Sequence, residues 1–467
     1  MAASAPSAAA ADAPLDLSLF DETLSLTALR IPAKKTSAFN QRLKGTGYMF
    51  DRPRVKPVID DPAGGGATKL VLLSEAAGGA DLAGLPAELR EFVLAEGAEP
   101  TPHVLRLGFE NLNAEQALRR LLPAGMEVPS SFEQVGHVAH VNLRTEQLPY
   151  KSLVGRVLLE KNKPRIRSVV NKVESISNQF RVFPMELLAG EAGLRTEVRE
   201  NEAVFELDFG EVYWNSRLGE EHKRIVSSVL RPSDVVADVF GGIGPFAVPA
   251  GLKGCHVYAN DLNPDSFKWL NINVGRNKVG ARVRTYNLDG RAFVRALLDP
   301  APSPTPASQW APPAALPFGF FGHVLMNLPA SALSFLDVFV GAFDRAAWRA
   351  PLPTVHCYCF SKAEDPAADV IAVAEATMGC KLPGATATAV RDVSPHKLMM
   401  CLRFVLPEEA WAGGQPDDAA DASPAFPQQP GGAARGKRQR VGEAGQQAES
   451  DSGEAERGPE REGSRSF

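Results

Sequence analysis

DVVADVFGGIGPFAVPAG, residues 234–251, reads as a β-strand that ends near Asp238, a turn built on Gly241, Gly242 and Gly244, and the start of a helix. Glycine is expected where backbone must approach a ligand closely, because it has no Cβ and tolerates positive φ. The spacing fits neither the G-x-x-x-x-G-K-[ST] of a phosphate-cradling loop nor the G-x-G-x-x-G of a dinucleotide fingerprint, and no lysine follows the glycines. Three more strand ends come in order: YANDLNP with Asp261 and Leu262, NLDG with Asp289 and Gly290, and MNLP with Asn327. In a doubly wound sheet, ligands bind beyond the carboxyl ends of the strands near the switch point. Asp261 stands where an acidic side chain accepts both hydroxyls of a ribose, and Asp289 can accept the exocyclic amine of an adenine. Acidic groups without a Lys or Arg for phosphate favour a cationic, phosphate-free nucleoside, and S-adenosylmethionine is that ligand. Each acid also has a structural alternative: Asp238 could cap the glycine turn, Asp289 could cap the helix of GRAFVRALL, and Asp261 could form an Asx-turn before Pro264.

Around this loop, residues 211–406 alternate strand-like runs with helix-sized segments, which implies βαβ units and a mostly parallel sheet. The fold class expected is therefore α/β, a Rossmann-like domain preceded by smaller α+β domains. Residues 16–130 mix short apolar runs with a helical stretch, and residues 131–210 alternate strand-like runs with a basic, helix-like stretch, YKSLVGRVLLEKNKPRIRSVVNKV. Residues 1–15 and 407–467 have the low-hydrophobicity composition of disorder, and 299–317, DPAPSPTPASQWAPPAALP, reads as a surface insertion. Within the tail, RGKRQR could be a nuclear-import or RNA-touching cluster, or a solvated charge run.

The 467 residues carry a net charge of −5, which argues against bulk attraction to nucleic acid, although an average hides patches. Between 151 and 181 lie Lys151, Arg156, Lys161, Lys163, Arg165, Arg167, Lys172 and Arg181 against Glu160 and Glu174, the footprint expected of phosphate contacts. No run approaches the roughly 18 apolar residues of a membrane span. The five cysteines form no CxxC pair and no metal spacing, so reduced, buried thiols in an intracellular protein are expected, with no metal. The start lacks the basic region of a secretion signal and the arginines of a mitochondrial transit peptide.

With these residues in view, the chain resembles the eukaryotic and archaeal tRNA (guanine-37-N1)-methyltransferase family, a class I methyltransferase family. The resemblance runs from about residue 20 to 405 through HVAHVNLR, LPYKSLVGRVLLEKN, VVNKV, FRVFPMELLAG, VYWNSRLGEEHKRI, DVFGGIGPFAVPAG, ANDLNPDSFKWLNIN, NLDGRAF, MNLPASALSFLD and VHCYCFSK. It implies a tRNA carrying G37 as partner, S-adenosylmethionine as methyl donor, a monomer, and the mark that begins the wybutosine series in tRNA-Phe. It also implies location in cytoplasm and nucleus; a mitochondrial pool would follow from the family but not from this N-terminal composition.

Methylating guanine N1 requires removal of a weakly acidic proton and stabilisation of the charge that moves to O6. WNSRLGEEH offers Glu220, Glu221 and Arg217, and NQFRVF offers Arg181. By resemblance, Glu221 matches the general base, Arg181 the arginine that holds O6, and Asn327 a residue beside the target base. His222 matches a cofactor-contacting position, with Asp238, Gly242, Asp261, Leu262, Asp289, Gly290 and Asn327 completing the cofactor site. Glu221 with Arg224 could instead be a solvated i, i+3 pair. The competing readings are a class I enzyme acting on an amino group of nucleic acid, whose Asn-Pro-Pro-aromatic motif NLPA lacks, and an inert tRNA-binding module of the same fold.

Overall fold

The computed structural model describes residues 15–129, 131–173, 180, 182–298, 318–344 and 348–407. The insertion 299–317 and the tail after 407 lie outside the described residues, as does most of the N-terminal segment.

Near the N-terminus, four antiparallel strands lie in the order Val58–Asp60, Thr68–Leu72, Glu22–Pro32, Glu99–Leu107. Leu29, Ile31 and Val71 of this sheet pack against Phe39 and Leu43 of the helix Thr36–Leu43 and Val93 of the helix Ala87–Ala95. A second, mixed sheet follows in the order Glu133–Val135, Val138–Val141, Ser168–Lys172, Met185–Gly190. The helix Lys151–Asn162 lies on it so closely that a Cβ at Gly155 would sit 2.5 Å from Cβ of Leu188.

The basic stretch expected to be helix-like is helical only as far as Asn162, and Ser168–Lys172 is a strand. Pro164 accounts for the break, since the residue before a proline is pushed out of the α region, and Ser168-Val169-Val170 favours a buried strand. Its charges are also less free than the sequence suggests. Lys151 pairs with Glu186, Lys163 with Glu160 at 2.7 Å, and Arg167 with Glu191 at 3.4 Å. Lys161 turns inward onto the Phe109 carbonyl, its Nζ 3.5 Å from the ring centroid. Lys172 lies over the Phe183 ring at 4.3 Å.

The largest sheet has seven strands: β1 (Val235–Asp238), β2 (His256–Asn260), β3 (Val283–Tyr286), β4 (His323–Met326), β5 (Thr354–Ser361), β6 (Thr386–Ser394) and β7 (Lys397–Val405). Their order is β3-β2-β1-β4-β5-β7-β6, parallel throughout except for β7, which runs antiparallel to both neighbours. Side chains alternate between two cores. Val236, Val257 and Leu325 face one, with Phe246 and Leu270, whereas Ala237, Tyr258 and Val324 face the other, with Phe293 and Leu336. Both faces are covered, as an all-parallel arrangement requires. Successive crossovers from β1 run outward through β2 to β3, and the chain then returns to β4 on the other side, so the switch point lies between β1 and β4.

The hairpin Arg195–Glu200/Ala203–Asp208 joins this unit through two asparagines on the helix Pro264–Arg276 and the turn after it. Asn273 accepts from Glu206 N–H at 2.8 Å and donates to the carbonyls of Glu206 and Ile243, each at 3.1 Å. Asn277 accepts from Val204 N–H at 2.9 Å and donates to its carbonyl at 2.7 Å. The two side-chain amides, four residues apart, thus copy the ladder of a neighbouring strand. Asn273 is fully buried, so Asn273→Ala leaves backbone groups unpaired in the interior, where each costs about 1–3 kcal/mol. Chemical denaturation is expected to show a loss of about 3 kcal/mol, and a loss below about 1 kcal/mol would refute the role of the clamp.

Candidate active site

β1 ends in Asp238, at the switch point between β1 and β4. Both carboxylate oxygens of Asp238 are buried and meet no hydrogen-bond donor among the described residues. Desolvation, with the nearby Asp261 carboxylate adding to it, pushes its pKa up to about 8. The residue does not act as the cap that the sequence allowed.

The glycine turn wraps over this carboxylate. Gly241 N–H donates to the Asn260 carbonyl at 2.6 Å, and Gly242 N–H donates to Oδ2 of Asp261 at 2.8 Å. Gly242 has φ +54 and a Cβ there would meet nothing within 4 Å, so this backbone borders open space. Gly244 has φ +100, and its Cβ would lie 2.8 Å from Leu270, which makes it a packing glycine.

Asp261 at the end of β2 ties the loop to the strand and also accepts from Asn263 N–H at 2.9 Å, the Asx-turn that the sequence left open. Burial lifts its pKa to about 6 against those two bonds. Leu262 follows, its carbonyl accepting from Asn287 Nδ2 at 3.0 Å. Asp289 is exposed and Oδ1 caps the helix Gly290–Leu298, accepting from Arg291 and Ala292 N–H at 2.9 and 3.2 Å. A Cβ at Gly290 would lie 2.9 Å from the Phe240 ring, so the helix starts hard against the end of β1. Beyond β4, Asn327 places a buried Oδ1 with no partner among the described residues.

The short helix Gly219–Arg224 supplies the remaining groups. His222 is buried, its Nδ1 2.6 Å from Oε1 of Glu200 and its ring edge-on to Phe246 at 4.6 Å; Nε2 is buried without a partner among the described residues. Glu221 is not a solvated pair: its side chain is only 10% exposed, and Arg224 binds it in a fork, Nε to Oε2 and Nη2 to Oε1, both 2.7 Å. Tyr358 of β5 donates to the same Oε1 at 2.8 Å. Arg181 lies outside the described residues.

Four buried polar atoms thus await a partner at these positions: both oxygens of Asp238, Nε2 of His222 and Oδ1 of Asn327. Leaving such atoms unpaired is costly, and a donor-rich cation beside Asp238 would satisfy the carboxylate while cancelling its charge. The donor set therefore fits the ammonium and ribose of S-adenosylmethionine and not a phosphate. Among the described residues, no group of three His, Cys, Asp or Glu could hold a metal, and no helix is long and apolar enough to cross a membrane.

The sequence reading missed Glu200, Tyr358 and Asn260. Asn260 is fully buried and joins three strand ends, with Nδ2 on the carbonyls of Val239 and Leu288 and Oδ1 on Leu288 N–H. An asparagine amid the apolar run of β2 was the available signal. Tyr358 was a single hydroxyl in a strand of buried residues and could be assigned a partner only through the fold.

Comparison with known proteins agrees with this geometry. Residues 114–193 match the TYW2 N-terminal domain and residues 196–299 the TRM5/TYW2 methyltransferase domain. The tRNA (guanine(37)-N(1))-methyltransferase of Phytophthora infestans is 44% identical over 402 residues, 84% of this chain and 92% of the relative. The protein of the same name from Mus musculus is 42% identical over 400 residues, 84% of this chain and 77% of the relative. In fold, the chain is similar to the crystal structure of Trm5b from Pyrococcus abyssi, with TM-score 0.54 and 22% identity over 81% of this chain and 99% of that one. It is similar also to aTrm5 in its complex with tRNALeu, with TM-score 0.60 and 18% identity over 81% of this chain and 99% of that one. The seven-stranded α/β unit with its switch point between β1 and β4 is a class I methyltransferase domain, and the chain belongs to the tRNA (guanine(37)-N(1))-methyltransferase family.

Proposed function

We propose that this chain methylates N1 of guanosine 37 in tRNA with S-adenosylmethionine as donor, using Asp238, His222, Asp261, Leu262, Gly242, Asp289 and Gly290 to hold the donor. The observation that carries the reading is Asp238, a fully buried carboxylate with no hydrogen bond among the described residues at the end of β1. Bound S-adenosylmethionine supplies a methyl group on a positively charged sulfur.

The protein's part is to bind, orient and move one proton. Asp238 carries its proton near neutrality in the donor-free chain and is assigned to meet the cation as a carboxylate once the donor binds, and the open backbone of Gly242 admits the ligand close to the loop. Nε2 of His222 and Oδ1 of Asn327 are left for the ligands, Asn327 on the side of the target base as an acceptor for an amino group. Guanine N1 carries a proton and has no lone pair to offer, so a base must act first; Glu221 is the carboxylate that takes it. Arg181 is assigned to O6, where the charge of the deprotonated base collects. A base stacked in an anticodon loop is hidden, so the guanine is flipped into the site.

The tRNA backbone is assigned to Lys163, Arg165 and Arg167. Lys163 and Arg167 are at least half exposed, and exposed ion pairs such as Lys163–Glu160 are worth little and exchange readily for phosphate. Lys161 is withdrawn from that surface, and burial lowers its pKa to about 8. Neutralising Lys163, Arg165 and Arg167 is expected to weaken every tRNA alike and to lower the salt slope of binding by roughly one per lost contact; sequence-selective loss would count against the assignment.

For Asp238 the sign of the pH effect is fixed. Its folded pKa of about 8 lies above the ordinary 3.8, so between those values the folded chain holds a proton that the unfolded chain has released. Stability therefore falls as pH rises through that window. Asp238→Asn removes the penalty, so the donor-free protein is expected to melt higher than wild type, with a larger gain at pH 8 than at pH 5. The same change should weaken S-adenosylmethionine binding by about 1–3 kcal/mol. Calorimetry showing unchanged affinity would remove Asp238 from the site.

If Glu221 is the base, Glu221→Gln should bind donor and tRNA yet slow single-turnover methylation by about 10²–10⁴-fold, with partial rescue at high pH where solvent ionises N1. A wild-type rate at saturation would take the role from Glu221.

A further inference from the structure

We propose that Tyr358 and Arg224 are positioning residues that occupy Oε1 of Glu221 and fix its plane, so that Oε2 is the atom that receives the proton of guanine N1. This rests on the reading of Glu221 as the base. The asymmetry between the two oxygens is its foundation. Oε1 accepts from Tyr358 Oη at 2.8 Å and from Arg224 Nη2 at 2.7 Å, whereas among the described residues Oε2 accepts only from Arg224 Nε, at 2.7 Å. Two donors fill the lone pairs of Oε1, and one pair remains on Oε2.

Tyr358 is built to hold this bond. It is wholly buried in β5 between Cys357 and Cys359, and its ring stacks on Phe246 at 5.8 Å. A hydroxyl so deep in the interior is costly unless it is bonded, and Glu221, 137 residues earlier in the chain, is the acceptor. Among the described residues, the groups facing Glu221 from each neighbouring element are Arg224 on its own helix, Tyr358 on β5 and Cys401 on β7, whose Sγ is 3.9 Å from Arg224 Nη2. Glu220 points away, paired with Lys223 and 92% exposed. Burial raises the Tyr358 phenol well above its ordinary range and the Cys401 thiol to about 11. Both therefore remain protonated near neutrality, and among the described residues Arg224 is the cation paired with the carboxylate.

In the proton transfer, the N1–H bond of guanine breaks, its electron pair stays in the N1–C6–O6 system, and the proton forms an O–H bond at Oε2 of Glu221. Oε1 keeps its two donors throughout, so the carboxyl group does not have to turn, and N1, now holding a lone pair, accepts the methyl group.

Tyr358→Phe keeps the ring that stacks on Phe246 and removes only the donor. Single-turnover methylation of a G37 tRNA transcript at saturating S-adenosylmethionine is measured from pH 5.5 to 9 for wild type, Tyr358→Phe, Arg224→Lys and Arg224→Met. In parallel, carboxyl-¹³C glutamate resonances of the donor-free proteins are titrated, with Glu221→Gln identifying the signal of interest. Losing a donor to a carboxylate raises its proton affinity, so the acid limb of the rate profile and the Glu221 resonance are both expected to move up by about one pH unit in Tyr358→Phe. The shift should be larger in Arg224→Met, with Arg224→Lys between, since lysine keeps the charge but not the fork. A rate that falls equally at every pH, or a resonance that does not move, overturns the positioning role. Should Arg224→Met fail to fold, Tyr358→Phe decides alone. A slow Glu221→Gln beside an unshifted Tyr358→Phe sinks only this inference, whereas a fast Glu221→Gln sinks the reading beneath it.

Discussion

A carboxylate buried without a hydrogen bond is the constraint around which the large domain is arranged. Asp238 stands fully buried at the end of β1 with neither oxygen met by a donor among the described residues, next to a second, half-buried acid, Asp261. A folded chain tolerates this only if surrounding bonds over-determine the place. They do: the parallel register fixes Asp238 opposite Ala259 and Leu325, and the loop above it is pinned by the bonds from Gly241 to Asn260 and from Gly242 to Asp261. In the donor-free protein burial keeps this group protonated near neutrality, and its ionisation at higher pH is what costs the fold stability.

Asparagine does much of the fixing. Asn260 joins the ends of β1 and β2 to the segment after β3, Asn263 caps the helix that follows β2 and donates to the Glu211 carbonyl, and Asn273 with Asn277 grips the hairpin. Each amide carries both donor and acceptor, so it can pair with a backbone edge that no strand reaches. Their bonds lead from the hairpin through the helix Pro264–Arg276 to Ile243 in the glycine turn. Support for the ligand loop therefore comes from residues about thirty positions away as well as from its own strand.

The features that could be read beforehand were local. The glycine turn, the acidic strand ends and the alternation of strand and helix each lie within a few residues, so β1 to β4 and the placement of Asp238, Asp261 and Asn327 followed from pattern. Asp289 shows the limit, because a strand-end acid before Gly-Arg-Ala is equally a helix cap, and it does cap the helix. The basic stretch was only partly legible for another reason: composition counts charges but not their partners, and Lys161 and Lys172 direct theirs onto the rings of Phe109 and Phe183. Glu200 and Tyr358 were invisible because their bonds span 22 and 137 residues.

Those two long-range bonds explain how one short helix holds two neighbouring side chains that are assigned to different ligands. Adjacent residues on a helix point about 100° apart, so His222 and Glu221 cannot face the same wall. His222 is held by Glu200 of the hairpin and lies edge-on to Phe246, whereas Glu221 is held by Tyr358 of β5, whose ring stacks on that same Phe246. Phe246 opens the helix that follows the glycine turn. The glycine turn, the histidine assigned to the donor and the carboxylate assigned to the base are thereby all linked through one aromatic ring.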